Sequence, residues 1–181
     1  MTRRRLPFCL LLSAALFGFL MPLQVSALRA ESPAVDPAYY ASLQALRQTA
    51  ALRMLDVMKA QLDGDRAKEE AAAVEAIKAY DALIAAVPDD LPAHNARGIL
   101  KEQLGAGQGA ADLEFVVARA SVRILADAQD AESYHTRATA LRSLKKFAEA
   151  RADYQEAIRL QPDNRKWGLD LRAMETEAPR E

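Results

Sequence analysis

The chain has 181 residues, about a fifth of them alanine; 51% are hydrophobic, 27% charged and 6% aromatic, with 7 glycines and 8 prolines. That apolar content excludes an intrinsically disordered chain and a glycine- or proline-rich fibre, and the scarcity of glycine and aromatic residues argues for helices over a sandwich or barrel. One cysteine excludes a disulfide scaffold and a cysteine-rich metal site, and a formal charge of −1 leaves no electrostatic footprint for nucleic acid.

Residues 1–27 read as an export signal. Thr2-Arg3-Arg4-Arg5 is its positive start, Phe8 to Met21 is uncharged and apolar, and Val25-Ser26-Ala27 puts small residues where signal peptidase inspects the chain. The competing reading is a retained membrane helix over residues 6–23, since that run reaches the roughly 18 residues at which a span becomes feasible. Pro22 and the Val25-Ser26-Ala27 site favour removal, and both readings export everything downstream. Cys9 lies inside the apolar run without a lipobox and leaves with the signal. Cleavage behind Ala27 leaves 21 Lys and Arg against 25 acids, a charge near −4, and no cysteine. That composition suits a bacterial periplasm, with the membrane touched only through an uncleaved N-terminal segment. Residues 28–35, with Glu31, Ser32 and Pro33, read as a flexible linker.

From Asp36 onward the chain reads as a string of helices. Asp36-Pro37 is an N-cap followed by proline at the first helical position. Tyr40, Leu43, Leu46, Ala50, Met54, Val57 and Gln61 or Leu62 then recur at intervals of three and four, giving a helix to about Leu62 that Asp63-Gly64-Asp65 breaks. A second helix spans about Arg66 to Val87, with Val74, Ile77, Tyr80, Leu83, Ile84 and Val87 on its buried side, and Pro88-Asp89-Asp90 ends it. The third, about Pro92 to Leu104, carries Ala93, Ala96, Ile99, Leu100 and Leu104, and Gly105, Gly107 and Gly109 read as turn formers after it. The fourth, about Gln108 to Ala126, packs Leu113, Phe115, Val116, Val117, Val122 and Leu125. Helices over about Ala131 to Leu144, Phe147 to Leu160 and Trp167 to Glu175 follow. No stretch alternates with the period of a strand.

Residues 131–164 form a 34-residue unit with Tyr134 fourth, Ala138 eighth, Leu141 eleventh, Ala150 twentieth, Tyr154 twenty-fourth, Ala157 twenty-seventh and Pro162 thirty-second. This pattern resembles the tetratricopeptide repeat at every signature position. Small residues at Ala138 and Ala150 let two antiparallel backbones cross, Tyr134, Leu141 and Tyr154 fill the flanks, and Pro162 ends the pair. Residues 91–130 are looser: Gly98 is eighth and Ala110 twentieth, but Glu114 stands where an aromatic is usual, with Phe115 beside it. Upstream, Ala76, Tyr80 and Pro88 fit the second half of a unit over about 57–90, whose first half is replaced by the long helix from Asp36. The resemblance implies an all-α, right-handed tetratricopeptide-type solenoid over 36–178, of about three helix pairs, with a capping helix over 165–177 carrying Trp167, Leu169, Leu171 and Met174. Each pair needs a neighbour to cover its apolar face.

In this family the second, fifth, sixth, ninth, twelfth and thirteenth positions of each first helix line a concave groove. Carried over, these are Asn95, Ile99, Glu102 and Gln103 in one unit and Glu132, His135, Thr136, Thr139, Arg142 and Ser143 in the next. Such side chains grip the backbone of an extended peptide. The Lys, Asn, Lys and Arg set that clamps a terminal carboxylate in chaperone-docking members is not reproduced. Arg97 and Arg137, both seventh, are expected to make ion pairs within their units, and His94, fourth, to pack. No metal ligands stand at ligand spacing, and no cofactor loop or catalytic constellation is present. The expected function is a non-catalytic adaptor or assembly factor of the cell envelope that binds another protein or an extended peptide. The alternatives are a self-associating structural protein and an accessory subunit of a cell-wall enzyme.

Overall fold

The computed structural model describes residues 36–105 and 107–178; the expected export signal over 1–27 and the expected linker over 28–35 lie outside them. The chain divides into two units, 1–40 and 41–181, and of the first the described part is Asp36 to Tyr40. The described residues form seven helices and no strand: α1 Pro37–Asp63, α2 Arg66–Ala86, α3 Leu91–Gln103, α4 Ala110–Ala126, α5 Ala131–Ser143, α6 Phe147–Leu160 and α7 Arg165–Glu177. The architecture is an all-α helical-repeat solenoid.

Local chemistry sets the helix ends. Asp65, Asp90 and Asp130 cap α2, α3 and α5, their carboxylates accepting from the backbone N–H of Lys68, Ala93 and Ser133 at 3.1, 3.1 and 3.0 Å. Each satisfies a donor that the first helical turn leaves without a partner. The corner after α3 turns on Gly105 at φ 70°, and the matching corner after α5 on Lys145 at φ 62°, a left-handed conformation that costs a side-chain-bearing residue energy.

Consecutive helices pack from α2 through α7, and α3 also meets α5, so first helices of successive pairs lie side by side. The core is a relay of small clusters. Ala50 and Val57 of α1 meet Ala73, Ala76, Tyr80 and Leu83 of α2 and Ala93 and Leu100 of α3. Leu113 and Val116 of α4 meet Ala140 of α5. Ala138, Leu141, Ala150 and Tyr154 form one buried cluster, closed by Met174 of α7. Tyr134 packs in the adjoining cluster with Ala131, Ala157 and Trp167.

The unit over 91–130 corrects its sequence register by one residue. Gly109, not Ala110, sits at the close approach: a Cβ there would lie 2.2 Å from the Gly98 carbonyl oxygen. A Cβ on Gly98 would meet Leu113 Cγ at 2.9 Å. Leu113 and Val116, both fully buried, therefore stand where Tyr154 and Ala157 stand in the next unit, and Glu114 faces solvent. Gly109 is accordingly a packing residue with φ −76°, while Gly105 and Gly107 are turn residues with positive φ.

Several side chains expected to be buried are exposed. Val122 and Leu125 lie at the end of α4, which is 17 residues long against 14 for α6, so the apolar period continues after the packing surface has ended. Val74, Leu62 and Leu169 are also on the outside, as is Tyr40.

Candidate functional site

The ninth, twelfth and thirteenth positions of α3 and α5 converge. Ile99, Glu102 and Gln103 from α3 and Thr139, Arg142 and Ser143 from α5 line one cleft of about 520 Å³, together with Lys145 and Glu177. Six of the ten residues singled out in the sequence are thereby brought together. The other four are not among its walls. Asn95 is half-buried, with an enclosed Oδ1 that has no hydrogen-bond partner among the described residues. Glu132 is exposed in the first turn of α5, where an acid suits the positive end of the helix. Thr136 and His135 are half-buried.

Several of these side chains already have structural work. Ile99 packs against the Leu113, Val116 and Ala140 cluster. Glu102 accepts from the Gly109 backbone N–H at 3.0 Å, satisfying a donor at the start of α4, which has no side-chain cap of its own. Thr139 Oγ1 donates to carbonyls of its own helix, lying 3.0 Å from that of His135 and 2.9 Å from that of Thr136, and Ser143 Oγ donates to the Thr139 carbonyl at 3.1 Å. Their oxygens keep acceptor capacity toward the cleft. Gln103 is exposed.

His135 and Arg142 are covered by α7. His135 Nε2 lies 3.0 Å from an Asp170 carboxylate oxygen, and the ring stacks on Trp167 with centroids 5.0 Å apart. Arg142 holds Glu177 with both sides of its guanidinium, Nε donating to Oε2 at 2.9 Å and Nη2 to Oε1. The two contacts share one offset of 35 residues. An equal offset means that α7 runs beside α5 as a fourth first helix, begun at Arg165, with Asp170 sixth and Glu177 thirteenth. Of the two, Glu177 lines the cleft while Asp170 holds His135 outside it, and a register that stops at Asn164 reaches neither. Continuing the same count through the capping helix finds them. The Glu177 hydrogen bond raises the Arg142 guanidinium further above its ordinary value, and the same bond, with Lys145 nearby, lowers the Glu177 carboxyl.

Two ion pairs, each on a buried aspartate, fix the first helices on the second ones. Arg137 donates to both oxygens of Asp153 at 2.7 Å and to Ser121 Oγ of α4 at 2.9 Å. Arg97 donates to Asp112 from Nε at 2.8 Å and also from Nη2, and Nη1 reaches Asp81 of α2 at 2.6 Å. Both arginines thus pair within their own units, and each also ties its unit to the preceding one. His94 is buried against Phe115, with Nε2 2.9 Å from the Pro88 carbonyl and Nδ1 3.2 Å from Asp112. Burial alone pushes the Asp112 carboxyl up, but hydrogen bonds from Arg97, His94 and Lys101 outweigh it and hold the group at about 2.

A second cleft of about 500 Å³ lies among α1, α2 and α3, lined by Arg47, Tyr80, Leu83 and Asp90 with Arg123 of α4. Among the described residues no three His, Cys, Asp or Glu side chains converge as a metal site requires, and no helix is long and apolar enough to cross a membrane.

The paired helices, the close approach at Ala138 and Ala150 and the buried Arg137–Asp153 bridge all fall in one segment. Residues 131–164 match the tetratricopeptide repeat family. Three solved tetratricopeptide-repeat structures are similar to the chain. The first such domain of Spaghetti (RPAP3), bound to the HSP90 peptide SRMEEVD, is 21% identical with a TM-score of 0.39, over 72% of this chain and 93% of that one. The first such domain of human RPAP3 is 20% identical with a TM-score of 0.41, over 71% and 91%. The Arabidopsis OM64 domain is 19% identical with a TM-score of 0.34, over 73% and 98%. None of the curated proteins compared matches the chain.

Proposed function

We propose that the protein is a non-catalytic adaptor or assembly factor that holds another protein, or an extended peptide segment of one, in the cleft between α3 and α5. The observation that carries this reading is the convergence of Ile99, Glu102, Gln103, Thr139, Arg142 and Ser143 on one cleft. Such a surface has amide and hydroxyl groups to meet a peptide backbone and an apolar wall to take a side chain. The non-catalytic reading draws on the buried carboxylates Asp112 and Asp153 and on both histidines, which are engaged in bonds that hold helices together. Action in the cell envelope rests on the signal over residues 1–27, and N-terminal sequencing of the protein from a periplasmic fraction should then begin at Leu28.

The direct test selects binding peptides from a displayed random library and measures their affinity for the wild type and for Thr139→Arg, which fills the cleft from α5. The variant should lose at least about tenfold in affinity while keeping its helical content. Equal affinity for both would remove the cleft from the reading. A second reading, docking of another copy of the chain, is favoured by Leu52, Leu55, Met58 and Leu62, four large apolar side chains of α1 that are 44–88% exposed. Sedimentation across a hundredfold concentration range checks it, and a strict monomer removes it.

A further inference from the structure

One carboxylate in the cleft is gripped by a cation, and a second cation lines the same cleft. Arg142 makes two hydrogen bonds to Glu177, and Lys145, which lines the same cleft, also acts on that carboxyl. Glu177 is the last residue of α7, and its side chain remains 45% exposed. Its position works against the helix that carries it. The last turn of α7 has no basic residue and two acids, Glu175 and Glu177, placed at the negative end of the helix macrodipole. The contact with Arg142 offsets that unfavourable placement.

The rest of α7 is anchored independently. Trp167 and Met174 are buried, and Asp170 is bonded to His135, so the terminal turn can fray without the helix leaving α5. Arg142 would stay in place when Glu177 withdraws. Its guanidinium neighbours the buried phenol of Tyr154, whose oxygen has no partner of good hydrogen-bond geometry and which Arg142 opposes burial in shifting. What remains then is a preformed cationic pocket of Arg142 and Lys145 beside Gln103 and Ser143.

We propose that Glu177 is an internal competitor at this pocket: it stands in for a carboxylate of an acidic peptide segment, and such a segment enters the cleft by displacing the last turn of α7 from Arg142. This inference rests on the groove reading above and adds to it the chemistry of the partner and a built-in restraint on binding. The shared 35-residue offset of the two α5–α7 contacts explains how the restraint arose structurally, because α7 occupies the place of a further first helix and its thirteenth residue reaches the groove.

The test uses the full chain and two fluorescein-labelled, C-terminally amidated peptides, Gly-Ser-Ala-Glu-Ala-Glu-Ala-Ser and the same sequence with Gln for Glu, read by fluorescence anisotropy. Glu177→Gln should tighten the Glu peptide about fivefold and leave the Gln peptide unchanged, with the gain lost in 0.5 M salt. Arg142→Gln should abolish the preference for the Glu peptide in both backgrounds. A chain shortened to residue 174 should behave as Glu177→Gln does, which guards against an effect peculiar to the glutamine. The inference is overturned if Glu177→Gln leaves the Glu peptide unchanged, weakens it, or tightens both peptides equally. If the Gln peptide binds and Thr139→Arg blocks it while charge has no influence, this inference fails and the groove reading stands. If binding ignores Thr139→Arg, or neither peptide binds any variant, both fail.

Discussion

The units over 91–130 and 131–164 reach the same helix pair by different side chains. In the later one Ala138 and Ala150 allow the crossing, and the Tyr154 ring fills the space beside it. In the earlier one Gly98 and Gly109 bring the backbones so close that Gly109 cannot carry a methyl group, and Leu113 suffices as filler. A buried arginine–aspartate bridge spans both, Arg97 to Asp112 and Arg137 to Asp153. The comparison teaches that the fold requires a short helix separation, a filled flank and a paired buried charge. Residue identity at each position follows from how the first of these is met.

The largest effects should come from the two bridges. Asp112 receives bonds from Arg97, His94 and Lys101, so Asp112→Ala leaves more buried donors unpaired than Asp153→Ala does. Urea denaturation at pH 7 should show losses of about 4 and about 3 kcal/mol respectively. The Asp112 effect has a defined pH window. Its folded value of about 2 lies below the ordinary 3.8, so the stabilisation is complete above about pH 4 and disappears as pH falls through 2. The gap between wild type and Asp112→Ala should accordingly shrink by about 2 kcal/mol between pH 4 and pH 2. A gap that persisted unchanged at pH 2 would contradict the bridge.

Next in size is the crossing. Gly109→Ala drives a methyl group against the Gly98 carbonyl and should cost about 3 kcal/mol, whereas Ala150→Gly in the roomier pair should cost only about 1. Similar losses at both sites would show that the two crossings are equally tight. The smallest effect concerns the corners. Lys145→Gly should stabilise by about 1 kcal/mol by relieving a left-handed residue, and Gly105→Ala, with open space around it but φ at 70°, should destabilise by about as much. Thermal unfolding of the two variants side by side reads both signs at once.

The later unit was legible because its spacing is undisturbed: Tyr134, Ala138, Ala150 and Tyr154 all pack where the register put them, though Tyr134 serves a neighbouring cluster. The earlier one misled by one residue. Its crossing residues, Gly98 and Gly109, stand one residue closer in sequence than Ala138 and Ala150 do, and Gly109 sits among turn glycines that resemble it in sequence but not in backbone conformation. The bridges carried the missing signal, since Arg97 and Asp112 are 15 apart where Arg137 and Asp153 are 16 apart. Val122 and Leu125 misled for another reason: helical period reports an amphipathic face without reporting where the covering partner stops. In the cleft, residue types and positions could be counted from the sequence, while the engagement of Glu102 with Gly109 and of Arg142 with Glu177 depends on chain folding back from elsewhere.

The two ends of the stack differ in chemistry. The outer surface of α7 is mostly charged, with Arg165, Lys166, Arg172 and Glu175 exposed and Leu169 its one exposed large apolar residue, whereas α1 turns Leu52, Leu55, Met58 and Leu62 outward. One end therefore presents charge and the other an apolar face. If two copies of the chain joined through this α1 face on both, the pair would be two-fold and head-to-head, and the charged face of α7 would stay in solvent.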